Sequence, residues 1–277
     1  MQEKSDYLFS TSVQIPLIAP VPTFYFFGNM LDKKTLIATE NQSFQSQEFF
    51  NDQWKVYQKI LDNNYMGHHE IYSVLEKFLL SYFQQPLKML DLGCGDANFT
   101  AQALLNSTIT SYQGIDLSIP ALEIAKDNMG KIQCDTTFTQ GNFSELIPEL
   151  MLTQRHSFDA ILCSFALHHL SLEEKDLIIS QIKELLTFNG VFILIDVFRQ
   201  AAEDRETYLR RYLQSVRQDW SLLTSQEYLL LENHISTSDF PETQQTFHAI
   251  SQKYNFSRFE CLCDNVNNAT QILCFYR

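Results

Sequence analysis

Basic residues are scarce in this 277-residue chain: 20 Lys and Arg stand against 33 Asp and Glu, a formal charge of −13. Nucleic-acid surfaces rest on clustered Lys and Arg, and no run of three occurs here. No nucleic-acid partner is expected. Long apolar runs are also missing. The most apolar early stretch, Ile15–Gly28, is too short to span a bilayer and contains Pro16, Pro20 and Pro22, so no membrane partner is expected. The opening residues MQEKSD lack the basic region of a signal peptide. Six cysteines sit mostly inside apolar runs, the pattern of reduced thiols in a cytoplasmic protein. Cys261 and Cys263 form CxC in an expected strand and there point the same way. No second cysteine pair or histidine pair at ligand spacing accompanies them, so no metal is expected. Internal repeats and low-complexity tracts are absent as well.

What is present is an ordinary globular composition, 45% hydrophobic and 19% charged. Residues 1–45 show no period and read as an extended arm bearing Phe24, Tyr25, Phe26 and Phe27. From Phe49 to Phe83 apolar residues recur at three and four, predicting two helices broken around Asn63–Gly67. Strands then alternate with helices: Lys88–Leu92, Ser111–Ile115, Cys134–Thr139, Ala160–Ser164 and Val191–Val197 are separated by four helical stretches. Ser118 with Pro120 and Gly130 bounds one helix. Ser171 with Glu174 opens another as a capping box, and Gly190 reads as its terminator. The spacing predicts an α/β fold, a doubly wound, mostly parallel sheet. After Val197 come an amphipathic helix over Glu203–Arg217, a capping box at Thr224 and Glu227, and a helix opened by Asp239 and Pro241. Arg258–Leu262 and Thr270–Tyr276 then close the sheet as an antiparallel finish. The expected organisation is an arm with lid helices over 1–85 and a core over 86–277. A helical substrate-lid insertion is expected within that core, at about 198–257.

The stretch Met89–Thr100, MLDLGCGDANFT, runs from an apolar strand through Gly93 and Gly95 into a helix. Such a turn exposes backbone N–H groups at a strand's carboxyl end, where nucleotide-like cofactors are held. A dinucleotide fingerprint wants a third glycine where Asn98 stands. Asp91 and Asp96 flank the turn, and their negative field suits an ammonium and a sulfonium better than a pyrophosphate. The next strand ends at Asp116, in GIDLS, where a carboxylate can accept both ribose hydroxyls. The third ends TQGNF: Gly141 allows close approach of a flat ring, Asn142 can hydrogen-bond it and Phe143 can cover it. Four of the eight glycines, Gly93, Gly95, Gly114 and Gly141, lie beside the ends of three successive strands.

LDLGCGDANFT, GIDLS, QGNF, FDAILCSFALHHL and LLTFNGVFILID together resemble the successive motifs of class I S-adenosylmethionine-dependent methyltransferases, over residues 86–198. The resemblance implies a Rossmann-like seven-stranded sheet with an antiparallel last strand, and S-adenosylmethionine as cofactor, leaving as S-adenosylhomocysteine. It implies that Asp91, Gly93, Cys94 and Gly95 line the methionine pocket and that Asp116 binds the ribose, with Leu117 against the adenine. Asn142 and Phe143 would meet the adenine edge, and Cys163, Ser164 and Phe165 would pass under the sulfur. The Asn/Asp-Pro-Pro-aromatic loop of DNA and protein amide enzymes is replaced by SFALHH, so a small-molecule acceptor is the leading reading. An enzyme that modifies the sulfonium itself, like carboxy-S-adenosylmethionine synthases, is one alternative. A non-catalytic S-adenosylmethionine-binding protein is the other.

His168 and His169, just past the fourth strand, are candidates to bind the acceptor or take its proton, against a capping role. From the N-terminal helices, His68 and His69 are candidates to reach the cofactor's carboxylate. Tyr65 there is a candidate aromatic neighbour of the sulfonium. Arg199 and Arg205 could hold an anionic acceptor, against ion pairs with Glu203, Asp204 or Glu206, and His234 is a further substrate candidate.

Overall fold

A computed structural model describes residues 56–265 and 269–277. The expected arm over 1–45 lies outside the described residues, as does the start of the first expected helix. That helix, α1, is described over 56–62, and Gly67, at φ 73°, turns the chain into α2 (His68–Tyr82). Ile71, Leu75, Phe78 and Leu79 form the buried face of α2, the three-and-four spacing of its sequence.

Six further elements follow as β1 (Leu87–Leu92), α3 (Asn98–Leu104), β2 (Ile109–Asp116), α4 (Ile119–Met129), β3 (Asp135–Gln140) and α5 (Phe143–Thr153). Next are β4 (Phe158–Ser164), a 3-10 turn at Leu167–His169, α6 (Leu172–Leu185) and β5 (Leu186–Val197). The chain finishes with α7 (Arg205–Asp219), α8 (Ser225–Ser238), α9 (Gln244–Lys253), β6 (Arg258–Asn265) and β7 (Thr270–Tyr276). The sheet order is β3-β2-β1-β4-β5-β7-β6, with β1 to β5 parallel and β7 antiparallel to both its neighbours. β1 pairs with β2 on one side and β4 on the other, so the strand order reverses there. That reversal opens a crevice at the strands' carboxyl ends.

Two cores follow from the two-residue period of the strands. Met89, Ala160, Leu162, Ile193 and Ile195 face α2, α3 and α4, whereas Leu90, Leu92, Ile161, Phe192 and Leu194 face α5, α6 and α9. A third, smaller cluster joins Val56 and Ile60 of α1 to Tyr208, Tyr212 and Val216 of α7 and Leu231 and Ile235 of α8. Lys59 of α1 is paired with Glu227 of α8 at 2.6 Å. Ser118, Ser171 and Thr224 cap their helices as their sequences predict, the last two as complete capping boxes. No helix among the described residues is long and apolar enough to cross a membrane.

Three local expectations are corrected. Gly190 does not terminate a helix: α6 ends at Leu185 and β5 begins at once, with Leu186 registered opposite Phe158. A Cβ on Gly190 would come 3.0 Å from Phe158 O and from Leu186 Cβ, so close packing explains the glycine. Asp239 and Pro241 do not open a helix either. Asp239 closes α8, and Thr243 caps α9. Cys261 and Cys263 do not share a face, because a register shift lies between them. One packs against each of the two main cores.

Candidate active site

The turn after β1 is held open by backbone conformation. Gly93 and Gly95 adopt φ values of 72° and 53°, left-handed space that a side chain disfavours. The N–H groups of Gly93 and Cys94 both donate to Ile115 O, at 2.8 and 3.0 Å, which ties the turn to the end of β2. Gly95 N–H donates to Asp116 Oδ2, and Ser118 N–H donates to Oδ1, each at 2.8 Å. The Asp116 carboxylate is thus fixed between two turns. Each of its oxygens keeps a lone pair for a ligand. Asp91 ends β1 at 1% exposure, and its Oδ2 accepts from the Tyr112 hydroxyl at 2.8 Å. Its Oδ1 is buried without a hydrogen bond.

These two carboxylates stand at one end of a cavity of about 1370 Å³, counting its open mouth. Its lining brings together Asp91, Gly93, Cys94, Gly95, Asp116, Leu117, Phe143, Ser164, Phe165, His168, His169 and His234 from the sequence-predicted residues. Phe165 holds φ 50° directly after β4, a left-handed position on the rim like those of Gly93, Gly95 and Ala97. Ser164 Oγ accepts from the Tyr72 hydroxyl at 2.8 Å, joining α2 to the end of β4.

Six sequence-predicted residues stand outside the lining, each for a visible reason. Asn142 caps α5, its Oδ1 accepting from Ser144 N–H at 3.0 Å. Cys163 alternates to the opposite face of β4 and is wholly buried there. His69 lies one helix position, about 100°, from His68, which lines the cavity in its place. The His68 ring lies 5.1 Å from Phe99 and 4.8 Å from Phe165, and burial lowers its pKa to about 4. Tyr65 stacks on Trp220 at 5.1 Å and buttresses that cavity residue from behind.

Both arginines serve the fold. Arg199 donates to Pro241 O, Glu203 O and Glu242 Oε2, at 2.7, 2.9 and 2.6 Å. Arg205 donates to Asp239 O and Ser236 O, both at 2.7 Å, and lies over the Phe240 ring. Removing Arg205 with Arg205→Ala leaves two carbonyls unsatisfied, for an expected loss of about 1–3 kcal/mol of stability in chemical denaturation. Acceptor KM should not move; a raised KM would return Arg205 to the site.

The other end of the cavity is built by α7 and α8. Tyr212, Trp220, Leu231 and Ile235 form an apolar wall, and His168, His169, His234 and Asp239 form a polar corner. Sequence reading missed Tyr72, Phe99, Tyr212 and Trp220 as cavity residues, because helical spacing alone cannot separate a core aromatic from a cavity wall. His168 is clamped by Asp196 at the end of β5, Nδ1 to Oδ1 at 2.5 Å and backbone N–H to Oδ2 at 2.9 Å. Burial opposes charge on His168, but Asp196 and Asp239 outweigh it and raise its pKa. Lys175, fully buried, donates to Leu170 O at 2.7 Å and to Phe240 O, and Phe240 N–H donates to His168 O at 2.7 Å.

Against known proteins, residues 84–265 match the sequence profile of a family described as a methyltransferase domain. The chain belongs to this methyltransferase family. It is a class I methyltransferase, and S-adenosylmethionine is the family's donor. A carboxy-S-adenosyl-L-methionine synthase from Yersinia pseudotuberculosis is 26% identical over 178 residues, 63% of this chain and 72% of the relative. An uncharacterized methyltransferase from Oceanobacillus iheyensis is 29% identical over 169 residues, 61% and 68% of the two chains. Among solved structures, magnesium protoporphyrin IX methyltransferase from Synechocystis, with bound SAH, superposes with a TM-score of 0.55 at 16% identity. It covers 88% of this methyltransferase and 100% of that chain, a likeness of fold. The site fits the donor on its own terms. An orphaned buried oxygen on Asp91 awaits a donor group, and the pinned Asp116 carboxylate awaits hydroxyls.

Proposed function

We propose that this methyltransferase methylates a small, neutral, largely apolar acceptor seated between the strand ends and the Tyr212–Trp220 wall. The observation that carries the reading is the cavity's composition. Among the described residues no Lys or Arg lines it, while tyrosine, tryptophan and aliphatic side chains from α1, α7 and α8 do. No lysine or arginine there would pair with an acceptor's carboxylate, so this reading prefers a neutral acceptor to an anionic one. The cover over 198–257 would then act as the acceptor's lid. A cytoplasmic setting agrees with six free cysteines.

In this reading Asp91 holds the donor's ammonium and Asp116 its ribose hydroxyls, with Leu117 and Phe143 beside the adenine. His68 stands near the carboxylate end. Bound S-adenosylmethionine supplies a methyl group on a cationic sulfur, already carrying its leaving group. The protein's task is alignment, which by itself is worth effective molarities of ~10⁵ M or more. Ser164, held by Tyr72, and the strained backbone at Phe165 fix the wall between the two ends. His168 and His169 orient the acceptor's nucleophilic atom, and Asp196 positions His168.

The test is transfer of labelled methyl from S-adenosylmethionine to a panel of neutral aromatic alcohols and amines, carboxylic acids and RNA. Turnover confined to the neutral class supports the proposal; turnover only with carboxylates or RNA overturns it. The Yersinia relative keeps sulfonium modification in view, and mass spectrometry of a co-purified ligand would reveal a carboxylated sulfonium.

Two predictions follow from the roles assigned. Burying the indole of Trp220 against an acceptor is worth about 1.5–3 kcal/mol, so Trp220→Leu should raise acceptor KM about tenfold or more. Donor affinity should stay unchanged, as calorimetry would show. Burial raises the pKa of Asp91 to about 7, with the Tyr112 hydroxyl pulling the other way. Ionised Asp91 is the form that holds an ammonium, so donor affinity should fall as pH falls through that value. The expected slope is about tenfold per pH unit below it, as for one coupled proton. Calorimetry from about pH 5.5 to 8 checks this, and Asp91→Asn should flatten the acid limb.

A further inference from the structure

We propose that His168, His169 and Asp239 bind a divalent transition-metal ion at the acceptor end of the cavity. Each side chain offers a ligand atom, and the three atoms lie within 4.8 Å of one another. All three residues are buried, and all line the cavity. Sequence spacing could not announce this site, because two ligands lie at the end of β4 and the third lies 70 residues on, at the end of α8 (239 against 169).

Two of the distances are of the size that ligands of one metal ion would need. His168 Nε2 lies 3.7 Å from Asp239 Oδ1, and His169 Nδ1 lies 3.4 Å from the same oxygen. Two ligands bound to one tetrahedral zinc at about 2.0–2.1 Å stand about 3.3 Å apart, whereas a charge-assisted hydrogen bond closes to about 2.7–2.9 Å. Asp239 is buried, and its Oδ1 faces the imidazoles of His168, His169 and His234.

The tautomer of His168 points the same way. Its Nδ1 lies 2.5 Å from the Asp196 carboxylate, so Nδ1 carries the donated proton and a ligating His168 would use Nε2, the atom that faces Asp239. A carboxylate behind the far nitrogen of a ligating histidine is also the arrangement that orients metal-bound imidazoles. His169 Nδ1 also lies 3.2 Å from Ser238 O, a contact that metal binding would replace. His234 Nε2, 3.7 Å from Asp239 Oδ1, stands beside the site as a further imidazole. Two imidazoles and one carboxylate, with room on the cavity side, suit zinc or iron(II).

This inference deepens the acceptor end of the proposed function: an ion there would take a lone pair of the acceptor's nucleophilic atom and fix its position. It rests on that reading for its purpose, and on side-chain geometry for its existence. The test uses full-length protein freed of metal with a chelator, titrated with Zn²⁺ by calorimetry and with Co²⁺ by visible absorption, without donor or acceptor. One equivalent bound, with Co²⁺ bands of nitrogen and oxygen ligation, is expected. Asp239→Asn and His169→Gln should each weaken binding at least tenfold, a loss of about 1.4 kcal/mol or more. No stoichiometric binding overturns the proposal, as does thiolate charge transfer pointing to cysteines, or equal affinity in wild type and variants. The wild-type spectrum decides the ligand type even where a variant fails to fold. Donor binding measured on the same metal-free protein separates the two readings. Retained donor affinity without metal binding sinks only the metal, and lost donor affinity in folded protein sinks the donor assignment.

Discussion

Asp116→Ala is expected to raise the dissociation constant for S-adenosylmethionine at least 100-fold. Each charge-assisted hydrogen bond to a ribose hydroxyl contributes about 1.5–3 kcal/mol, and two together give about 3–6 kcal/mol, beyond two factors of ten. The carboxylate also receives the N–H groups of Gly95 and Ser118, so its loss loosens both turns at once. Asp116→Asn keeps one acceptor oxygen and should fall between wild type and alanine. Isothermal titration calorimetry of the three proteins is the measurement. Affinities within threefold of one another would move ribose recognition to another residue.

Gly93→Ala is the second large effect, and it should strike stability and donor binding together. The residue sits at φ 72°, and an added Cβ would come 2.7 Å from Ala166 Cβ. Left-handed backbone costs an alanine about 1–2 kcal/mol, and an overpacked contact adds about 1–3 kcal/mol. Chemical denaturation should therefore show a loss of about 2–5 kcal/mol. Adding Ala166→Gly should recover the overlap and leave the backbone cost, a coupling that a double-mutant cycle reads directly. Gly95→Ala supplies the contrast. Its Cβ would meet nothing within 4 Å, so it pays only the backbone strain, and its methyl intrudes on the ligand's space. A Gly93→Ala protein as stable as wild type would show that Ala166 yields freely.

The alternation of strand and helix from Leu87 to Val197 was legible because each element carries its own period and punctuation. Ser118 and Pro120 start α4 where expected, and Ser171 with Glu174 starts α6. The meeting of the glycine turn with the other strand ends was legible for a related reason: the fold delivers the ends of β1, β2 and β4 to one crevice. What the chain hides is anything that depends on facing. His68 and His69 look alike in sequence, and the helix turns only one of them to the cavity. Asn142 looked like a ligand contact, yet local backbone claims its side chain as a cap. Arg199 and Arg205 looked like anion holders, and long side chains reached carbonyls of the 236–242 segment instead. The His168–Asp239 corner was illegible because its members meet only through tertiary packing.

The clasp around Lys175 has a mechanical consequence. One ammonium grips carbonyls on both sides of the polar corner, and Phe240 N–H adds a backbone bond to His168. The Asp239 end of α8 is thereby pinned. The Ser225 end is joined to α1 through Lys59 and Glu227, so those helices travel as one piece. The cover is therefore anchored at both ends, at the histidine corner by the Lys175 clasp and at α1 by the Lys59–Glu227 pair.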